Sequence, residues 1–259
     1  MRLLHVLGHE VRLMLVALQF LTRIPAPARL GYEPAWLTAS VRHFPLAGAI
    51  VGAAGAGVLC AAQMFWPPWV AAVLAVATTL WLTAAFHEDG LADTFDALLG
   101  AAPREKAMAI MKDSRIGTYG SAALVIVLVL RIALAAELLT RGNALAATAL
   151  LASHVIARAG AVALMAMLPY AASEDDAKAK PLARGVKPRD ALWACAWCLG
   201  LLATPWPVAR IVTAFAATGA LVLVLRPWLR RRLGGYTGDT LGAAEQLGEA
   251  VVLLALAAA

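Results

Sequence analysis

Long apolar stretches alternate with shorter polar segments along the chain. Seven such stretches occur, at 45–66, 69–86, 121–139, 144–168, 191–204, 208–225 and 243–259. Most are close to the roughly 20 residues that an α-helix needs to cross about 30 Å of hydrocarbon. The fifth and the last are short and are compatible with tilted, re-entrant or partly buried helices. The pattern predicts an all-α, polytopic transmembrane bundle of about seven spans.

The first 44 residues differ from the apolar stretches. Glu10 and Arg12 interrupt the N-terminal run and leave only a short, largely apolar segment at 13–21. An interrupted run of this length argues against a cleaved signal peptide and favours an amphipathic, interfacial helix. We expect Pro25 and Pro27 to end that helix.

Composition and charge support a membrane protein. The 259 residues are 62% hydrophobic and 15% charged, whereas soluble domains average about 25% charged residues. This excludes an ordinary soluble fold and a disordered chain. Of the 22 Lys and Arg residues, 18 lie in segment 1–44 and in the long connections 87–120, 169–190 and 226–242. The positive-inside rule makes these segments cytoplasmic, so the net charge of +6 indicates orientation rather than nucleic-acid binding.

The chain shows no repeat of fixed period and no separate soluble segment. It is therefore expected to form a single integral-membrane domain over 1–259. Gly48 and Gly52 have the GxxxG spacing that lets helices approach closely in lipid, and they predict tight helix packing.

Three aspartates follow the second apolar stretch. Asp89, Asp93 and Asp96 have the spacing i, i+4, i+7, which on a helix places them on one face. Clustered carboxylates suit Mg²⁺, which typically takes one or two of them and bridges to substrate phosphates. Such charge beside a membrane span is costly and usually functional, although a solvated acidic helix face is the alternative. Glu88 points nearly opposite this face and is a weaker candidate.

Two further segments carry glycines and polar residues next to a predicted helix. KDSRIGTYG at 112–120 has the cations, hydroxyls and glycines of a phosphate site before a helix N-terminus; a basic loop anchored to lipid headgroups is the alternative. GGYTGDTLG at 234–242 lacks the GKS or GKT of a P-loop. Its glycines indicate close approach of the backbone to a ligand or another helix. Asp239 and Glu245 could complete a second metal shell.

His154 and Arg158 lie i, i+4 on one face of the fourth apolar stretch. Ionisable residues within a membrane helix indicate a functional site by default, and pairing with a carboxylate such as Glu137 is the structural alternative. A magnesium site with phosphate-binding loops at the mouth of a helix bundle favours phosphoryl transfer, which depends on positioning and charge neutralisation.

Five segments resemble the cobalamin synthase family, the adenosylcobinamide-GDP ribazoletransferases. They are FLTRIP at 20–25, FPLAGAIVG at 44–52, HEDGLADTFDALL at 87–99, KDSRIGTYG at 112–120 and GGYTGDTLGAAEQLGE at 234–249. The resemblance implies a multi-pass enzyme of the bacterial inner membrane with its active site facing the cytoplasm. The implied reaction joins adenosylcobinamide-GDP and α-ribazole, or α-ribazole 5′-phosphate, with Mg²⁺ as cofactor. The products are adenosylcobalamin, or its 5′-phosphate, and GMP.

Carried over by motif, the acidic signature of the family falls on Asp89, Asp93 and Asp96 as metal ligands and catalytic residues. Lys112 and Arg115 would offset the charge of the pyrophosphate, and His87 or one aspartate could act as general base. The remaining candidates for substrate binding come from the two glycine-containing segments and the fourth apolar stretch: Asp113, Ser114, Gly117, His154, Arg158, Thr237, Gly238 and Asp239.

Three other classes are less consistent with the sequence. A CDP-alcohol phosphatidyltransferase would need DG-x2-AR, but Asp89-Gly90 continues as Leu-Ala-Asp. A prenyltransferase would need aspartate motifs on two helices, and a transporter would predict inverted repeats. The expected partners are the two substrates and the lipid bilayer, and no nucleic acid. The sequence does not specify an oligomeric state and is compatible with a homo-oligomer.

Overall fold

The computed structural model describes residues 2–25, 27–31, 33–100, 102–113, 115–171, 185–204 and 206–258. Helices dominate these ranges, which confirms the predicted all-α class. In chain order they are α1 (Arg2–Leu21), α2 (Pro34–Ser40), α3 (Phe44–Ala62), α4 (Pro68–Leu82), α5 (Phe86–Leu98), α6 (Arg104–Ile110), α7 (Thr118–Arg141), α8 (Asn143–Met167), α9 (Pro188–Trp197), α10 (Val208–Leu233) and α11 (Gly238–Ala257).

Within the described ranges, five helical segments are long and apolar enough to cross a membrane: Pro34–Ala62, α7, α8, α10 and α11. Helices α4 and α5 would add a sixth as a pair, although they are bent by 89°. With 15 residues, α4 alone is about 22 Å long, shorter than the hydrocarbon layer. Helix α9 has 10 residues and continues only as a 3₁₀ turn. The predicted count of seven spans is therefore not confirmed.

Helix α10 extends further than predicted. Segment 226–242 was expected to be a long connection, but α10 continues through Pro227 to Leu233 and leaves only 234–237 before α11. Three arginines in its last turn, at 230–232, interact favourably with the negative end of the helix dipole. Gly234, with φ +85°, ends the helix, and its N–H donates to the carbonyl of Arg230 at 3.1 Å.

The N-terminal helix ends before the prolines, as predicted. One side of α1 packs on the bundle through Leu13, Ala17 and Leu21, while Leu7 and Val11 are exposed. This combination of a buried and an exposed apolar side is compatible with an interfacial helix.

A cluster of ion pairs ties α1 to the bundle. The Glu10 carboxylate contacts Arg42 Nη2 at 2.8 Å and His43 Nε2 at 2.9 Å. His43 Nδ1 in turn accepts a hydrogen bond from Trp197 Nε1 at 3.3 Å. The cluster therefore links α1, the turn just before α3, and α9.

Helices α8 and α11 form the enclosed centre of the bundle, and α7 and α10 flank them. The outer helices expose apolar side chains, among them Val125, Ile126 and Val129 on α7 and Leu223 and Val224 on α10. Contiguous apolar exposure of this kind is unusual in water and typical of a lipid-facing surface.

Glycines allow the central helices to approach one another. A Cβ atom at Gly48 would lie 2.7 Å from Arg158 Cδ, and one at Gly52 would lie 3.0 Å from Leu151 Cα. On the other side of α8, a Cβ atom at Gly248 would lie 3.0 Å from Ala157 Cβ. The predicted close packing at Gly48 and Gly52 is confirmed, and its partner is α8.

We expect Gly48→Ala to lower the thermal stability of the detergent-solubilised protein, because the added methyl group overlaps His154 and Arg158. Overpacking of this kind costs roughly 1–3 kcal/mol. Gly57→Ala is the matched control on the same helix, since nothing lies within 4 Å of its added Cβ. Equal unfolding temperatures for the two variants would contradict the packing described here.

Candidate active site

A sharp turn between α4 and α5 sets the direction of the aspartate helix. Ala84 and Ala85 have φ values of +55° and +56°, a left-handed conformation that residues other than glycine rarely adopt. The Ala85 N–H donates to the carbonyl of Leu80 at 2.9 Å, and the Arg23 N–H donates to that of Leu82 at 2.8 Å. These bonds satisfy the end of α4 while α5 turns away and packs against α7 and α11.

The predicted aspartate helix is confirmed as α5, and its two sides differ. Asp89 is exposed and Asp93 is half-buried, whereas Glu88 is buried on the other side. The Glu88 carboxylate faces Arg131 of α7, with 3.6 Å between Oε1 and Nη1. The prediction that Glu88 points away from the aspartate face is therefore confirmed.

Helices α5 and α11 touch through glycines. A Cβ atom at Gly90 would lie 2.7 Å from the carbonyl oxygen of Asp239, and one at Gly242 would lie 3.1 Å from that of His87. The glycines of the late segment therefore approach another helix, which was one of the two alternatives. The contact brings the start of α11, with Asp239, next to Asp89.

The loop before α11 is held by backbone hydrogen bonds. The Tyr236 N–H donates to the carbonyl of Pro169 at 3.0 Å, and the Ala171 N–H donates to that of Tyr236 at 2.8 Å. Burial raises the pKa of the Tyr236 hydroxyl to about 12.

Thr237, a predicted substrate-binding residue, caps α11. Its hydroxyl accepts a hydrogen bond from the Thr240 N–H at 3.2 Å, and its own N–H donates to the Thr240 hydroxyl at 2.9 Å. This reciprocal pair is a capping box, which satisfies donors that the first turn of a helix leaves unpaired.

Asp96 holds the start of α7. Its Oδ2 accepts a hydrogen bond from the Gly117 N–H at 2.7 Å, and its Oδ1 accepts one from the Gly120 N–H at 2.8 Å. A carboxylate at a helix N-terminus is stabilised by these donors and by the helix dipole. The donors that we predicted for phosphate at Gly117 therefore bind a carboxylate of the protein itself.

Asp113 and Arg115 pair with each other at the surface. Arg115 Nη2 lies 2.5 Å from Asp113 Oδ2, and its Nε donates to Oδ1 at 3.0 Å. The hydrogen bonds from Arg115 lower the pKa of Asp113 to about 2. The side chain of Arg115 is 86% exposed, and Ser114 lies outside the described residues.

A cavity of about 290 Å³ lies beside α5, with walls from α1, α3, α6, α8 and α11. Many predicted site residues line it, namely His87, Asp89, Lys112, Arg158, Thr237, Gly238 and Asp239. Asp93, Asp96, Asp113, Arg115, Gly117 and His154 do not line it. The structure thus brings the aspartate helix, Lys112 and the late segment together at one cavity.

Behind the cavity, charged side chains form a buried network around α11. Glu245 contacts Arg158 Nη1 and His87 Nε2, each at 2.6 Å. Glu249 contacts His154 Nδ1 at 2.5 Å and also pairs with Arg131. Glu245 and Glu249 therefore face the bundle.

The suggested pairing of His154 or Arg158 with Glu137 is wrong. Glu137 pairs with Arg141 instead, with 3.1 Å between Oε1 and Nη2. The carboxylates that neutralise the fourth apolar stretch come from α11, where Glu249 is 91 residues beyond Arg158.

His154, Glu245 and Glu249 are close enough to hold a metal ion, since their ligand atoms lie within 4.8 Å of one another. Arg158 and Arg131 already contact these carboxylates. A divalent cation there would place a third positive group in the same buried space. We therefore interpret this group as an ion-pair network, and Glu245 as a poor candidate for the second metal shell.

Sequence reasoning gave no role to Arg131 or Gln246. Arg131 Nη1 donates to Gln246 Oε1 at 2.6 Å, and both side chains are buried. The available signal was Arg131 itself, a charge within the apolar stretch 121–139.

The sequence profile of the cobalamin-5-phosphate synthase family matches residues 13–257. The chain belongs to this family. A protein of Leptothrix cholodnii is 48% identical over 250 residues, which cover 95% of each chain. Relatives from Shewanella amazonensis (41% identical, 95% of each chain) and Vibrio cholerae (39% identical, 98% of this chain and 96% of the relative) are equally well covered. All three are named adenosylcobinamide-GDP ribazoletransferase. No solved structure gives a significant match.

Family membership agrees with the resemblance found in the five sequence segments. The profile runs from Leu13 in α1 to the end of α11, so the cavity and the buried network both lie within the family region.

We expect Asp96→Ala to lower the thermal stability of the protein, because the Gly117 and Gly120 N–H groups lose their acceptor. Loss of such a cap costs about 1–2 kcal/mol. Asp89→Ala is the control on the same helix, since an exposed side chain usually changes stability by less than about 0.5 kcal/mol. Thermal unfolding in detergent checks both, and an unchanged midpoint for Asp96→Ala would refute its role at α7.

Proposed function

We propose that this chain joins adenosylcobinamide-GDP to α-ribazole, or to α-ribazole 5′-phosphate, and releases GMP. The observation that carries the proposal is the meeting of segments 87–99, 112–120 and 234–249 at one cavity. The third segment lies far along the chain from the other two, and all three carry the resemblance to the family. The names of the relatives support the same reaction.

In this reaction a hydroxyl oxygen of α-ribazole forms a bond to the phosphorus that carries cobinamide. The bond from that phosphorus to the bridging oxygen breaks, and GMP leaves with that oxygen. The hydroxyl proton is released. The product is adenosylcobalamin, or its 5′-phosphate when the nucleophile is phosphorylated.

We propose that Asp89 and Asp93 hold Mg²⁺, with Asp239 next to them across the contact of α5 and α11. The donor set suits this ion, because carboxylate oxygens are hard ligands and the two aspartates are one helical turn apart. The bound ion would neutralise charge on the pyrophosphate oxygens. Lys112 lines the same cavity and adds a further positive charge.

The structure assigns Asp96 a different role from the other two aspartates. Both of its oxygens accept hydrogen bonds from α7, so it positions α5 against the start of that helix. Its predicted part in metal binding stays a prediction.

His87 fits a positioning role better than that of a general base. Its Nε2 lies 2.6 Å from Glu245 Oε2, so this nitrogen is directed into the network rather than to substrate. A loose transition state needs little proton removal before attack, so phosphoryl transfer makes only a small demand on a base. His87 instead ties α5 to α11 beside Asp89.

We further propose that the cavity faces the cytoplasm from the inner membrane of a bacterium. Basic residues surround the loops next to it: Arg104 contacts the carbonyls of Leu233 and Ala171 at 2.7 and 2.6 Å, and Arg232 contacts that of Gly100 at 2.7 Å. Positive charge marks the cytoplasmic side. The turn between α3 and α4 instead exposes Phe65, Trp66 and Trp69, which suits a membrane interface.

Purified protein incubated with adenosylcobinamide-GDP, α-ribazole and Mg²⁺ should release GMP and form a cobalamin product in equal amounts. Asp89→Asn and Asp93→Asn should each reduce the rate at least about a hundredfold, because a neutral amide binds Mg²⁺ poorly. Chromatography of GMP and of the corrinoid product measures both. Glu137→Gln is the control, since that exposed side chain pairs with Arg141 at the end of α7 and does not line the cavity.

Chelation of divalent cations should abolish turnover, and added Mg²⁺ should restore it. Full activity of Asp93→Asn, or activity that survives chelation, would contradict the metal assignment. Absence of GMP from the wild-type reaction would contradict the proposed function itself.

A further inference from the structure

The lining of the cavity is mainly apolar and includes five aromatic side chains. Phe20 stacks on Phe44 with 5.9 Å between ring centroids and meets Phe86 edge-on at 5.7 Å. Tyr170 and Tyr236 form a second edge-on pair at 5.4 Å. All five rings line the cavity. A wall of this kind is suited to a flat, apolar ring system.

The size of the cavity restricts which part of the substrates it can enclose. Its volume of about 290 Å³ is at the lower end of the range for small-molecule sites. Adenosylcobinamide carries a corrin macrocycle with several amide side chains and is far larger than this. An aromatic base with its ribose is a much closer match.

We propose that this cavity binds the dimethylbenzimidazole base of α-ribazole, with Ala161 and Met165 at its wall setting the size of base that fits. The inference rests on the proposed function and names the substrate part that this site selects. Both residues line the cavity and belong to α8, the central helix.

Guanine and adenine, the two bases of adenosylcobinamide-GDP, fit this wall poorly. Both carry several hydrogen-bond donors and acceptors, and burying these without partners costs free energy. Dimethylbenzimidazole has a single free ring nitrogen once the other carries ribose, and its two methyl groups are apolar. The aromatic and methionine side chains therefore favour this base.

The charged residues of the cavity agree with this assignment. Asp89, Lys112 and Asp239 line it together, and they are the residues that we assign to the metal and the pyrophosphate. With the base against the aromatic side chains, the ribose extends toward these polar groups. A ribose hydroxyl would then approach the phosphorus that it attacks.

The test separates the two substrates kinetically. Ala161→Phe fills part of the cavity and should raise the KM for α-ribazole roughly tenfold or more, a change expected for a misfit in an apolar pocket. The KM for adenosylcobinamide-GDP should change less than twofold. Ala144→Phe is the matched control, because it makes the same substitution at an exposed position near the start of α8.

Ala161→Val is a milder variant for the case that Ala161→Phe does not fold, as judged by thermal unfolding in detergent. For this variant we compare α-ribazole with the benzimidazole riboside that lacks both methyl groups. In the wild type the smaller riboside should have a KM on the order of tenfold higher. In Ala161→Val that difference should shrink, because the smaller base fits the narrowed cavity.

A raised KM for adenosylcobinamide-GDP with an unchanged KM for α-ribazole would overturn the assignment and indicate that the cavity binds the other substrate. Unchanged values for both substrates in folded Ala161 variants would overturn it as well. In either case, GMP formation by the wild type would still support the proposed function. If the wild type forms no GMP, equilibrium dialysis of α-ribazole against the wild type and Ala161→Val decides the cavity assignment, and equal or absent binding overturns it.

Discussion

Two carboxylates on α11 lie in the centre of an apolar bundle, where an unpaired ion costs several kcal/mol. Glu245 and Glu249 are almost fully buried, so each depends on positive or hydrogen-bonding groups from other helices. Arg158 comes from α8, Arg131 from α7 and His87 from α5. Pairing these charges fixes how α11 sits against three helices. Because Arg158, His87 and Glu245 also line the cavity, the same contacts form the floor of the candidate active site.

Local features of this fold could be predicted from the sequence. The spacing of Asp89, Asp93 and Asp96 is a property of one helix, and the structure has that helix. The small side chains at Gly48 and Gly52 likewise indicate close packing without revealing the partner helix. Glu245 and Glu249 would make a poor lipid-facing surface, so their position in an apolar stretch alone indicates that they face the bundle. Each of these inferences depends on periodicity or on the cost of charge in lipid.

Features that depend on distant contacts could not be predicted. Nothing near Asp96 in the sequence indicates that Gly117 and Gly120 donate to its oxygens. The partners of His154 and Arg158 likewise belong to α11, far along the chain. Glu137 was suggested instead because it is closer to them in sequence. The end of α4 was missed for another reason: the turn uses Ala84 and Ala85, and alanine carries none of the signals by which glycine or proline marks a helix end.

The left-handed turn at Ala84 and Ala85 fixes where α5 begins. The number of residues between this turn and Asp89 is therefore as important as their identity. Each helical residue rotates the side-chain direction by about 100°. One residue inserted between Ala85 and Glu88 would place Glu88 at the exposed position that Asp89 now occupies. Asp89 would move to the position of Gly90, which packs against the backbone of α11, without any change in the acidic residues themselves. The number of residues between the bend and the first aspartate therefore determines which side chains of α5 face the cavity.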